Sequence, residues 1–419
     1  MGIKKLFTFL DEKELFEKYS YLSDIIKNLK IDKNKFIIGV DANLYCYKYS
    51  YSYGNMLIGF YNQILKFYSN NIIPIYIFDG GVLKEKEGTT SSRNKKIMNN
   101  KIKIDELNKN LDNVDNIEEI NNLEIIKNKL QKKSIKITSA NLKLLLELFD
   151  LMNIPFIFSH CEGEYLAVLL NKLNIIDMFL TDDTDPIPGG IKKIVKFYNN
   201  CVYYLDCESL LNALKLTKSE FIDMCILMSN DYNNFFHKIE PKTIYKNILK
   251  YKSIENIIEN IDDFDVDKNG DDTNIYNNSK CNNLKHFIKN QEINIDNTEN
   301  IRNIYNNLYN FERESFVNIH TENEFNISKI TNHDDISNYS EIMLEFWNEF
   351  IVILKQNDYD DVIKSDKFKK NINNYVKNSK FNTHKIIKFM RNNINEISDD
   401  EINNISTTFD FLNEFGIGN

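Results

Sequence analysis

The chain has 419 residues, 42% of them hydrophobic and 27% charged, enough to bury a sizeable core in one large domain with an appendage or in two domains. No stretch approaches about 18 uninterrupted apolar residues, no signal-peptide core follows Met1-Gly2-Ile3-Lys4-Lys5-Leu6, and Leu6 breaks a myristoylation pattern, so no membrane partner is expected. Net charge is −9, yet residues 1–260 sum to about +2 and residues 261–419 to about −11, so the acidic balance does not exclude a nucleic-acid partner for the first part.

Six cysteines are scattered without a CxxC pair. That points to free thiols in a reducing, intracellular compartment and away from a zinc ribbon or a disulfide framework. Asn, Ile and Lys are used heavily, as an AT-rich coding sequence would produce.

Residues 1–98 read as strand, helix and strand units. The apolar run Phe36 to Val40 stops at Asp41, and Pro74 to Phe78 stops at Asp79. Either Asp alone would be a turn former or a helix cap. Beyond Asp79, Lys86 and Arg93 stand two helical turns apart, although Gly88, Thr89 and Thr90 between them lower helix propensity.

Residues 99–136 are polar and rich in lysine and acid, and predict helices or a mobile insertion. From Thr138 the apolar spacing predicts an amphipathic helix, followed by a strand over Ile154–Phe158. A helix opens near Glu162-Gly163-Glu164 and leads to a strand at Met178–Leu180, which runs into Asp182-Asp183-Thr184-Asp185. A hairpin through Tyr198-Asn199-Asn200 comes next, then a stretch helical throughout 219–260 and broken near 233–241. In that stretch Phe221 to Met228 reads as amphipathic and is followed by Asp231, and Lys238, Lys242, Lys246 and Lys250 form an i, i+4 series. Residues 261–300 read as an Asn/Asp-rich linker or loop, and 301–419 as helical, with Phe346, Trp347 and Phe350 as core.

Short apolar runs separated by helical patterns read as buried parallel strands, and their carboxyl ends are where an open α/β sheet places its site. Several carboxylates gathered there need a counter-charge, since two like charges ~4 Å apart cost roughly 4 kcal/mol at an effective dielectric near 20. Oxygen-only ligands indicate Mg²⁺ or Mn²⁺.

Taken in order, MGIKKL at the start, VDAN at Asp41, IFDG at Asp79, EGE at Glu162–Glu164, TDDTD at Asp183–Asp185 and SNDY at Asp231 resemble the flap endonuclease/XPG superfamily of structure-specific nucleases over about the first 260 residues. The resemblance implies an α/β, PIN-like 5′-nuclease fold with a mostly parallel central sheet flanked by helices. A helical arch or cap would lie at 99–136, an internal nuclease region at 137–260 and a helix-turn-helix element at about 233–252, before a mainly helical C-terminal region. It implies Asp41, Asp79, Glu162, Glu164, Asp183, Asp185 and Asp231 as ligands of two Mg²⁺ ions, for which Mn²⁺ can substitute. Lys86 and Arg93 would contact the scissile phosphate, and Tyr47 would stack on a base near the cut. Gly2 would lie near the site, Lys129, Lys132, Lys133 and Lys136 on the arch, and the 238–250 lysine series on duplex DNA. The implied activity is that of a 5′-flap endonuclease or 5′-3′ exonuclease, hydrolysing branched or flapped DNA in replication, recombination and repair. The alternatives are a catalytically silent DNA- or protein-binding relative and a Holliday-junction resolvase of the same superfamily.

Some residues depart from the pattern. The glycines expected before Pro241 are Lys238 and Glu240, so a K⁺ ion at that hairpin is not expected. Pro186-Ile187-Pro188-Gly189-Gly190 reads as an unusual turn, and no sliding-clamp box is recognisable near the end. Glu341–Phe350 is similar to the poxviral branch, which would place the protein at viral replication sites in the host cytoplasm.

Overall fold

The computed structural model describes residues 2–3, 5–29, 36–68, 70, 72–80, 86–111, 117–152, 154–159, 162–232, 240–260, 298–306 and 383–393. In chain order the elements begin α1 (Leu6–Glu12), β1 (Glu17–Tyr19), α2 (Leu22–Asn28), β2 (Phe36–Asp41), α3 (Ala42–Tyr53), α4 (Met56–Tyr68) and β3 (Ile72–Phe78). They continue with α5 (Glu87–Leu111), α6 (Ile117–Lys133), α7 (Ser139–Leu151), β4 (Phe156–Phe158), α8 (Gly163–Lys172), β5 (Met178–Leu180) and α9 (Pro186–Gly189). After these come β6 (Lys193–Tyr198), β7 (Cys201–Asp206), α10 (Cys207–Leu214), α11 (Lys218–Leu227), α12 (Pro241–Tyr251), α13 (Ile254–Glu259), α14 (298–306) and α15 (Thr383–Asn393). The chain divides into two compact units, the first from Met1–Ile31 and Glu164–Glu312, the second from Asp32–Gly163 and Arg313–Asn419.

In the second unit three parallel strands pair in the order β2-β3-β4, in register from Phe36 opposite Ile72 to Asp41 opposite Ile77, and from Tyr76 opposite Phe156 to Phe158 opposite Phe78. Every residue of β3 is buried, as continuous apolar strands covered on both faces should be. Behind them α7 is capped by Thr138, whose side chain accepts from Asn141 N while Asn141 returns the bond to Thr138 N. Its Phe149 stacks on Tyr76 at 4.5 Å between ring centres. Ile386, Phe389 and Met390 of α15 are buried in the same unit, and Asn55 donates to the Asn393 carbonyl.

In the first unit the strand order is β1-β7-β6-β5, with β5 and β6 parallel and the other pairs antiparallel. The β6–β7 hairpin turns on Asn199 and Asn200, with φ of 49° and 59°. Two consecutive positive φ values match the right-handed twist of the flanking strands, and Asn tolerates them.

Several expectations need correction. The strand expected from Ile154 begins at Phe156, because Pro155 has no N–H and Ile154 N is spent on the Phe149 carbonyl. Gly88, Thr89 and Thr90 do not interrupt α5, which runs 25 residues through them. The Phe221–Met228 stretch is not amphipathic, since every residue from Phe221 to Leu227, Asp223 included, is buried. Residues 219–260 break a second time at Lys252, which takes φ 74°, and Ser253 then caps α13. The Pro186–Gly190 turn is the short helix α9, opened by proline and closed by Gly190 at φ 90°. Of residues 301–419, only 301–306 in α14 and 383–393 in α15 are described; Phe346, Trp347, Phe350 and the Glu341–Phe350 segment lie outside the described residues.

Candidate metal centre

The first unit holds a tight carboxylate group. β5 is buried along its length, and the chain leaves it at Thr181, whose N–H still reaches the Val195 carbonyl of β6. The loop then folds on itself. Asp183 N donates to Thr181 Oγ1 at 3.0 Å, and Asp183 Oδ1 accepts from the backbone of Thr184 at 2.7 Å and of Asp185 at 3.1 Å. Asp183 is 6% exposed and Asp185 1%. Glu164 stands in the first turn of α8, where the helix dipole favours a negative charge. One carboxylate oxygen from each of Glu164, Asp183 and Asp185 lies within 4.8 Å of the others. Glu164 is half-buried beside the two buried aspartates; three like charges this close repel one another, and a donor set made only of carboxylate oxygens fits a hard divalent ion. Asp231, in the turn after α11, stands outside this group of three.

The N-terminal segment closes on the same loop. Ile3 N donates to Thr184 Oγ1 at 2.9 Å. Gly2 adopts φ +76°, and a Cβ there would come within 1.9 Å of Asp183 Oδ1, so only glycine fits. Three tyrosines support the other side. Tyr305 of α14, fully buried, donates to Asp185 Oδ1 at 3.4 Å and meets the Tyr232 ring edge-on, while the Tyr232 and Tyr165 hydroxyls are hydrogen-bonded to each other. Burial, and after it the nearness of Asp185, pushes the Tyr305 phenol well above its ordinary pKa, so it keeps its proton and remains a donor.

The second unit carries its own polar group at the carboxyl ends of its strands. Asp41 ends β2 and caps α3, its Oδ1 accepting from Leu44 N at 3.0 Å. Asp79 follows β3 and is exposed; Oδ1 accepts from Gly163 N at 2.7 Å and Oδ2 from Asn43 Nδ2 at 2.6 Å. A Cβ at residue 163 would lie 3.2 Å from Asp79 Oδ1, so the glycine of the EGE triplet lets the backbone approach that closely. Glu162 is buried and paired with Lys86 at 2.5 Å, each side chain 11% exposed. Cys46 is buried on α3, and burial first, then Asp41 and Asp79, push its thiol far above its ordinary pKa.

Tyr47 projects from α3 and is 48% exposed, and Arg93 is exposed on α5. Lys129, Lys132 and Lys133 on α6, and Lys136 after it, are exposed. Lys242, Lys246 and Lys250 are exposed on α12, with Lys242 paired to Glu12 at 2.9 Å, whereas Lys238 and most of the hairpin before α12 lie outside the described residues. Sequence reasoning missed Asn43 and Tyr305. Asn43 was within reach as part of the VDAN motif. Tyr305 gave no signal, being 120 residues from Asp185 and beyond the 261–297 segment.

The chain matches the XPG N-terminal domain over residues 1–100 and the XPG I-region over residues 153–231. Flap endonuclease 1 of Plasmodium knowlesi (strain H) is 28% identical over 297 residues, covering 62% of this chain and 47% of the relative. The protein of the same name from Drosophila grimshawi is 29% identical over 212 residues, covering 49% and 52%. The chain therefore spans about half the length of these curated relatives. Among solved structures, the catalytic core of Rad2 in complex with a DNA substrate is similar at a TM-score of 0.51 and 20% identity, covering 73% of this chain and 85% of that one. A second such Rad2 complex gives 0.51 and 22%, covering 73% and 86%. At those identities the likeness speaks for the fold alone, a mixed α/β core of mostly parallel strands with a large helical share.

Proposed function

Two matched XPG domains support placing the chain in the flap endonuclease/XPG superfamily, and from that premise we propose that it is a metal-dependent nuclease that hydrolyses phosphodiester bonds of branched or flapped DNA. The observation that carries this reading is the close group of half-buried Glu164 and buried Asp183 and Asp185, with one oxygen from each inside 4.8 Å. That donor set suits Mg²⁺, or Mn²⁺ in its place, and Asp231 is assigned to the same ion. Asp41, Asp79 and Glu162 are assigned to a second ion on the strength of their motifs. Two such ions, when bound, would supply Lewis-acid activation of a water and of the leaving 3′-oxygen, and the product would carry a 5′-phosphate.

The protein's own groups do the rest. Lys86, whose Nζ donates to Glu162, is assigned to an oxygen of the scissile phosphate. A second cation, Arg93, two helical turns away, offsets the charge that builds on the scissile phosphate, the kind of electrostatic stabilisation that dominates many enzymes. Tyr47 stacks on an unpaired base and Gly2 keeps the N-terminal backbone tight against Asp183. The exposed lysines of α6 and α12 meet phosphates without reading sequence. A reducing, intracellular setting follows from scattered free thiols, and a viral role in DNA replication, recombination and repair from the likeness at Glu341–Phe350.

A panel of 5′-labelled substrates (5′-flap, nick, gap, four-way junction and single strand) in Mg²⁺, Mn²⁺ or EDTA tests the reading. The expected result is cation-dependent cutting of the flap substrate, abolished by EDTA. Cutting of the four-way junction alone would favour a resolvase, and binding without cutting in either metal would contradict a nuclease of any kind.

A further inference from the structure

We propose that Tyr51 and Lys132 form a second base-stacking position beside Tyr47, which takes the next unpaired nucleotide of a DNA single strand. The inference rests on the nuclease reading only in naming DNA as the ligand. α3 carries a tyrosine at every second position from Tyr45 to Tyr53. A helix sorts them into two rows four residues apart. The inner row packs as far as Tyr49: Tyr45 is 1% exposed and stacks at a tilt on Tyr49, whose ring meets Phe60 edge-on and lies so close to Gly59 that a Cβ there would come within 2.1 Å of it, while Tyr53 at the row's end is exposed and tilts on Tyr49. The outer row, Tyr47 and Tyr51, is about half exposed. Helix packing therefore does not account for the outer pair, which sets two large rings in water.

Both outer rings are held by the chain at the end of α6. Lys132 Nζ sits 5.2 Å from the centre of the Tyr51 ring, within cation–π range. The Tyr47 hydroxyl lies by the backbone of Ile137, just after α6. Lys129 and Lys133 are exposed on α6 and Lys136 just after it. An acidic or apolar peptide would want a groove, whereas this is a pair of exposed rings with an ammonium group over one of them. Flat π-faces that accept any base, next to cations that accept phosphate, are the composition of a single-strand platform. Four residues of helix rise about 6 Å, against roughly 3.4 Å per nucleotide along a stacked strand. Each ring thus takes one base, and the two bases are drawn apart from each other.

Fluorescence anisotropy in EDTA, with labelled duplexes bearing 5′-flaps of one, two or three nucleotides, tests this without cleavage. Tyr51→Ala should weaken binding of the two- and three-nucleotide flaps about tenfold and leave the one-nucleotide flap unchanged. An abasic site at the second unpaired position should weaken wild-type binding by a similar factor and Tyr51→Ala no further, because the two changes remove one contact. Tyr51→Phe should retain affinity, and Lys132→Ala should lower it on the longer flaps. Equal losses on every flap, additive losses with the abasic site, unchanged affinity, or no wild-type binding at all would overturn the proposal. Because no cation is present, a protein that binds in this pattern and never cuts would sink the nuclease reading alone. A protein that cuts flaps but shows none of this length dependence would sink only the platform.

Discussion

Asp183 shows how much of a residue's role is set by its neighbours. Two backbone N–H groups fix one of its oxygens, and Gly2 fills the space against it that any side chain would take. The same carboxylate on an open loop would be only a turn former. Asp150 is the opposite case, a carboxylate with a cost and no visible use. It sits in the last turn of α7, where the helix dipole disfavours an anion, and burial, then the nearby Glu147, push its carboxyl up to about 7. An unfolded Asp titrates near 3.9. Between those values the folded state keeps a proton that the unfolded state releases, so stability falls as pH rises from about 4 to 7, and the penalty is complete above that. Asp150→Asn should therefore stabilise the protein, with the gain growing by roughly 2 kcal/mol from pH 5 to pH 8. Urea midpoints of the two proteins at both pH values would check it; a gain that does not change with pH would show that the carboxyl titrates normally.

At the scale of elements, α14 belongs to the first unit although residues 261–297 stand between it and α13 in the chain. Arg302 forms a two-pronged pair with Asp223 of α11, at 2.6 and 2.7 Å, and another with Glu255 of α13, at 2.7 and 3.0 Å. Asp223 is 1% exposed. Burial raises its pKa, and Arg302 opposes that shift. Removing the guanidinium leaves a buried carboxylate without its main counter-charge, which costs roughly 3–5 kcal/mol. Arg302→Ala should lower stability by that order in chemical denaturation. Arg302→Lys should recover only part, because an ammonium cannot make both forks at once. An Arg302→Ala protein as stable as the wild type would mean that α14 is not held by this pair.

The same element marks where sequence reading stops. β2, β3 and β5 were legible because a buried parallel strand must be apolar without interruption, and Asp41, Asp79 and Asp183 because each breaks or follows such a run. The α11 segment misled because Asp223 looks like the polar side of an amphipathic helix. Its partner Arg302 stands 79 residues further on, and nothing in the local pattern links the two. Through Gly88–Thr90, α5 holds although local propensity is weak, which is a tertiary outcome that no residue there announces.

For the whole molecule, charge and matched domains agree. The XPG N-terminal domain and I-region fall within residues 1–231, in the part whose charge is about +2 even with its candidate metal carboxylates counted, while the excess acid lies after residue 260. Without those carboxylates the first part would be about +9, the balance expected of the proposed DNA partner. Everything proposed for function depends on Glu164, Asp183 and Asp185 holding a divalent cation against a DNA phosphate. The most direct test compares Mg²⁺-dependent cleavage and metal-free binding of one 5′-flap duplex by the wild type and Asp183→Ala. Cleavage should fall by at least about 100-fold while flap affinity in EDTA stays within a few-fold. Asp183→Ala protein that cuts the flap at the wild-type rate would contradict the account.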